Sequence, residues 1–126
     1  MKENDISKLV LHSAIEVHRT LGGPGLLESV YEEALAWELK AAGLSVSRQR
    51  EVPIHYKGHR LATPLRLDLL INDLVIVECK ATARYSEIFE AQTLTYLRLM
   101  DLKLGLVVNF GERMVKNGFH RVVNGL

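Results

Sequence analysis

The alternation of apolar and polar positions divides the chain into two helical stretches, a long stretch of period two, and a return to helix and strand. Ile6, Leu9, Val10, Ala14 and Val17 recur at helical spacing and predict a helix from Asp5 to Leu21, capped by Asn4 or Asp5. Gly22-Gly23-Pro24-Gly25 then breaks the chain. A second helix is expected from about Leu27 to Ala42, with Leu27, Val30, Ala34, Trp37 and Ala41 as its core stripe and Gly43 as its stop.

Past Ser45 the period changes to two. Val46 to Tyr56 reads as a strand, placed at an edge or a bulge by Pro53. Lys57-Gly58 is a turn, and a further extended segment covers Arg60 to Ile71. Asn72-Asp73 marks a second turn, and Leu74 to Ala81 is again strand, rich in Val and Ile. Ser86 to Asp101 returns to helical period with Ile88, Ala91, Thr95 and Leu99 on one stripe. Gly105 to Phe110 is apolar at every position but Asn109, as a strand buried on both faces would be. Phe119 to Val123 supplies a last strand. This order predicts a mixed α/β fold, a sheet of four or five strands flanked by helices, with the strands carrying Asp68 and Glu78 adjacent and antiparallel.

Composition narrows the class. The 126 residues fit one domain, 1–126, and 48% apolar with 25% charged side chains excludes a disordered tail, a fibrous repeat or a coiled-coil rod. No apolar run approaches the ~20 residues of a membrane span. The start, Met1-Lys2-Glu3-Asn4-Asp5, is too polar for a signal peptide. The lone cysteine, Cys79, has no partner for a disulfide, so a reducing, cytoplasmic setting is expected. Net charge is +1 overall but uneven. Arg48, Arg50, Lys57, Arg60 and Arg66 face only Glu51 between positions 46 and 66. Such a stretch suits a polyanion, and it equally describes a solvated strand face.

Charged residues interrupt two strands that otherwise read as core, at Asp68 and at Glu78-Cys79-Lys80. Glu78 and Lys80 share a strand face, and Cys79 alternates away into the core. Buried charges are costly unless paired or bound to a metal. Parity decides whether Asp68 joins them. A two-residue loop at Asn72-Asp73 would pair Asp68 with Val77 and send Glu78 to the other face, whereas a three-residue loop or a bulge sets Asp68 across from Glu78. Two carboxylates and a lysine so placed suit Mg²⁺ or Mn²⁺ and a hydrolytic reaction. They also suit a structural ion pair, and spacing alone does not separate the two.

Asp68 followed after ten residues by Glu78-Cys79-Lys80 resembles the Asp…(Asp/Glu)-x-Lys signature of the PD-(D/E)xK nuclease superfamily, with Leu67 where a proline often stands. Gly25-Leu26-Leu27-Glu28-Ser29-Val30-Tyr31 resembles the motif that names the GxxExxY family. Gln92-Thr93-Leu94-Thr95-Tyr96 is similar to the Gln-xxx-Tyr motif of RecB-like members. The resemblance implies a restriction-endonuclease-like core and a metal-dependent nuclease, acting on DNA in preference to RNA. It implies Asp68, Glu78 and the Cys79 backbone carbonyl as ligands of Mg²⁺ or Mn²⁺. Lys80 would be the catalytic lysine and Glu28 the completion of the acidic cluster, with Gln92 and Tyr96 beside Lys80 or the substrate. The alternative is a catalytically silent nucleic-acid-binding or interaction module on the same fold. So small a nuclease core is expected to need a second copy or a partner protein to grip a duplex.

Overall fold

The computed structural model describes all residues, 1–126. The order is α1 (Glu3–Leu21), α2 (Glu28–Ala41), β1 (Val46–Val52), β2 (His55–Tyr56), β3 (His59–Arg60), β4 (Leu65–Ile71), β5 (Val75–Lys80), α3 (Ile88–Met100), β6 (Leu104–Asn109) and β7 (Phe119–Val123), with a 3₁₀ turn at Val115–Gly118 before β7. Five strands form a mixed sheet in the order β1-β4-β5-β6-β7, and β2 and β3 form a separate small hairpin. Only β5 and β6 run parallel; the connection between them is α3, as a parallel pair requires a crossover. The mixed α/β architecture expected from the order of elements is therefore present, with five strands in the main sheet.

The sheet is covered on both faces. Ile6, Val10, Ala14 and Val17 of α1 and Tyr31, Leu35 and Leu39 of α2 pack with Val75, Val77 and Cys79 into a first core. Leu97 of α3 packs with Leu65, Leu67, Leu70, Ile76, Val107 and Val122 into a second. β6 lies between the two and is buried along its whole length, as its apolar run from Leu104 to Val108 foretold.

Several boundaries and phases differ from expectation. Helix α1 begins at Glu3, and its cap position is Lys2, whose N–H donates to the Asp5 carboxylate at 3.0 Å. Asp5 thus serves the helix end from inside the first turn. The strand expected through Tyr56 stops at Val52, where Pro53 offers no N–H to a ladder. The stripe expected on α2 is turned away from the core: Leu27 is 74% and Trp37 67% exposed. The buried side is Tyr31, Leu35, Ala36 and Leu39, because α2 carries more apolar residues than one face holds and the longer-reaching Tyr31 takes the inward position. The stripe on α3 is likewise rotated. Ile88 is 64% exposed, and Thr93 and Leu97 are the buried positions, with Phe89, Tyr96 and Met100 beside them.

Helix α3 sits so close to β6 that a Cβ built on Gly105 would lie 2.5 Å from Thr93 Cγ2. Glycine there lets helix and strand touch, and α3 is the element that carries Gln92 and Tyr96. Gly105→Ala is expected to cost about 1–3 kcal/mol by overpacking. Thr93→Ser, which removes the obstructing methyl and keeps the hydroxyl bonded to Phe89 O, recovers part of that loss. Chemical denaturation of both single variants and the double variant measures the coupling.

Candidate active site

The β4–β5 connection settles the parity question. Ile71 pairs with Val75, Leu70 with Ile76 and Leu69 with Val77, so Asn72, Asp73 and Leu74 form a three-residue loop. Asn72 and Asp73 both adopt left-handed backbone, φ 51° and 55°. Asn72 is held by two bonds of 2.8 Å to Ser45, one through its amide N–H and one through its side-chain oxygen. Continued by one step, this register sets Asp68 opposite Glu78.

At that step the regular pairing stops. Asp68 N–H donates to Glu78 Oε2 at 2.9 Å, and Cys79 N–H donates to Asp68 Oδ2 at 2.9 Å. Each carboxylate takes the amide of the opposite strand that a carbonyl would otherwise satisfy. The neighbouring pair opens at the same level: Arg48 pairs with Leu69 and Arg50 with Leu67, while Gln49, at φ 48°, and Asp68 stand between. Both strands change face there. Leu67 belongs to the second core and Leu69 to the first, although they are two residues apart. The twist turns Gln49 and Asp68 toward each other, with Gln49 Nε2 at 3.5 Å from Asp68 Oδ1.

Gln49 also reaches a residue that the sequence pattern did not single out. Its Nε2 donates to Glu32 Oε1 at 2.8 Å, and Arg48 donates to Glu32 Oε2 at 3.1 Å. Glu32 is buried on α2, one turn beyond Glu28. The misplaced apolar stripe hid it, since that phase put both glutamates on the solvent side. With Tyr31 and Leu35 inward, Glu32 lies on the flank facing the sheet, while Glu28, one turn earlier at the helix start, is exposed and makes no side-chain hydrogen bond. Tyr31 fixes this orientation: its ring stacks on Phe110 at 4.7 Å, and its hydroxyl donates to Gly23 O at 2.6 Å and accepts from Leu26 N–H at 3.1 Å.

The electrostatics follow from four carboxylates around one opening. Burial, and then the Asp68 charge, pushes Glu78 up to about 8. Burial raises Glu32 and Glu28 as well, with Asp68 adding to each, and Lys80 draws Glu28 back down. Lys80 is half-buried, its Nζ 4.6 Å from the centre of the Phe89 ring. Tyr96 is half-buried on α3, and burial together with the Glu78 and Asp68 charges raises its phenol. Gln92 is exposed and makes no side-chain hydrogen bond, so the structure does not draw it into the cluster as it does Glu32 and Gln49. Cys79 points its thiol into the first core, fully buried.

The donor set fits a hard divalent cation. Asp68 and Glu78 each spend one oxygen on a backbone amide; Glu78 Oε1 has no protein partner, and Asp68 Oδ1 meets only the long Gln49 contact. No three His, Cys, Asp or Glu side chains enclose a metal by themselves. A cation on these oxygens would therefore keep several waters, as Mg²⁺ does.

The sheet opens between two carboxylates, with a lysine two residues along. Residues 4–122 match the PD-(D/E)XK nuclease superfamily, and the chain belongs to it. The superfamily implies a nucleic-acid substrate, and its nucleases generally use divalent metal ions. No curated protein and no solved structure matches the chain. No helix is long and apolar enough to cross a membrane.

The raised Glu78 carboxyl has a thermodynamic consequence. An unfolded glutamate ionises near its ordinary value, whereas in the fold it holds its proton to about pH 8. The unfolded state thus releases its proton first, and the metal-free protein loses stability as pH rises from about 4.5 to 8. Glu78→Gln keeps an oxygen for Asp68 N–H and removes the titration. In EDTA it is expected to melt several degrees above wild type at pH 8 and close to it at pH 5, measured by thermal unfolding across that range.

Proposed function

We propose that this chain is a metal-dependent nuclease that hydrolyses phosphodiester bonds, in DNA in preference to RNA, and that it is of the GxxExxY kind. The observation that carries the reading is the crossed pair of amide bonds that holds Asp68 and Glu78 face to face with Lys80 beside them. A structural ion pair would close Lys80 onto one carboxylate, yet no ion pair joins them. The GxxExxY reading is supported by Tyr31, whose hydroxyl bonds tie the Gly23–Leu26 loop to the start of α2, where Glu28 stands.

In this reading Asp68, Glu78 and the Cys79 backbone carbonyl hold the cation, Mg²⁺ or Mn²⁺, and Glu28 completes the acidic cluster. A divalent cation, when bound, offsets negative charge on the phosphate and makes a water more acidic. Lys80 supplies a positioned positive charge to the attacking water or to the oxyanion that builds on phosphorus. Glu32 is a positioning residue: through Gln49 it keeps Asp68 in place. Tyr96 borders the carboxylates from α3, and Gln92, one turn before it and exposed, is placed to meet substrate.

Asp68→Asn keeps an acceptor for Cys79 N–H but removes the anionic ligand, and is expected to abolish Mn²⁺ binding in calorimetry and cleavage with it. Lys80→Ala is expected to bind Mn²⁺ as well as wild type or better, while cleavage falls by roughly 10²–10³-fold. Wild-type protein that binds no Mn²⁺ and cuts neither DNA nor RNA would overturn the reading in favour of a silent binding module.

A further inference from the structure

Six consecutive residues, His55 to Arg60, make up the β2–β3 hairpin, and all six are exposed. His55 pairs with Arg60 and Tyr56 with His59, around a two-residue turn, Lys57-Gly58, with φ 49° and 80°. Left-handed backbone at both positions is what a tight hairpin turn demands. The hairpin contributes nothing to either core. A two-stranded hairpin alone is marginal in water. Here its base is clamped: Ile54 packs on the second core, Leu61 N–H donates to Ile54 O at 2.8 Å, and Pro53 and Pro64 stiffen the strands that enter and leave.

Its chemistry is one-sided. His55, Lys57, His59 and Arg60 stand with no acid among them, and neither Lys57 nor Arg60 forms an ion pair. Tyr56 is 59% exposed, with Lys57 Nζ 5.4 Å from its ring centre. Position matters as much. The hairpin leaves the sheet from Val52 of β1 and Leu65 of β4, three residues from Gln49 and Asp68. Because β5 runs antiparallel to β4, Lys80 lies toward that same end of the sheet. The hairpin and the Lys80 end of β5 thus lie at one end of the sheet.

We propose that the β2–β3 hairpin grips an unpaired stretch of the substrate strand beside the active site, with a base stacked on Tyr56 and phosphates held by Lys57 and Arg60. The proposal rests on the nuclease reading above. Stacking on an exposed aromatic flanked by cations is open to any base, but only to a base whose own faces are free. A duplex keeps its bases stacked on each other, so Tyr56 distinguishes unpaired from paired substrate.

Fluorescence anisotropy with Mg²⁺, using a labelled single-stranded oligonucleotide and its duplex, tests this in a Lys80→Ala parent that cuts slowly. Tyr56→Ala is expected to weaken single-strand binding about tenfold and change duplex binding by less than about twofold, with Tyr56→Phe restoring the parent value. Lys57→Ala with Arg60→Ala is expected to lower the slope of log affinity against log salt by about 1.4, the share of two single-strand phosphate contacts. Thermal melts should match the parent, since the hairpin lies outside both cores. Hairpin variants that bind like the parent, or a Tyr56→Ala loss as large on duplex as on single strand, would overturn the proposal and leave the nuclease reading standing. A parent that binds no nucleic acid of either form would overturn both.

Discussion

The crossed bonds between β4 and β5 are the constraint from which the site follows. Once the two strands part after Leu69 and Val77, the amides of Asp68 and Cys79 need acceptors, and an unsatisfied buried amide costs about as much as a lost hydrogen bond. The carboxylates of Glu78 and Asp68 are the acceptors at hand. Their orientation is thus set by backbone bonding, before any metal or substrate arrives. The same placement strands a negative charge in a buried position, which is why the Glu78 carboxyl holds its proton so tightly. A cation bound at this place would offset that cost.

The rest of the structure brings the two faces of the sheet to this opening. Phe110 links them: its ring stacks on Tyr31 of α2, and its N–H donates to Lys80 O at 2.7 Å. The helix bearing Glu28 and Glu32 and the strand bearing Lys80 are therefore fixed to one residue. From the other face, α3 approaches over Gly105 and sets Phe89 under the Lys80 ammonium. Gln49, left-handed and unpaired in β1, joins Glu32 to Asp68 across the layer boundary.

What could be read in advance was whatever local pattern determines. The change of period near Ser45, the apolar run of β6 up to Val108 and the turn at Asn72-Asp73 all gave their elements. The odd loop length was deducible as a condition for Asp68 to face Glu78, and three residues in the loop meet it. Helix phase was not readable in the same way. Leu27, Val30 and Trp37 are as apolar as Tyr31, Leu35 and Leu39, so periodicity offers two stripes on α2, and tertiary packing on Phe110 picks one. Glu32 went unseen for that reason. Gln49 went unseen for another: nothing local in Val46–Val52 announces that its fourth residue leaves the ladder.

The three-residue turn makes the site unequally sensitive to two kinds of genetic change. Substitutions at Asn72, Asp73 or Leu74 alter strain but keep the count of residues, and with it the side of the sheet on which Asp68 and Glu78 stand. Loss or gain of a single codon there shifts the pairing by one and sends the two carboxylates to opposite sides, while every hydrophobic residue of β5 trades places with its neighbour. Chain length in this turn, more than the identity of its residues, therefore decides whether the two carboxylates share a side.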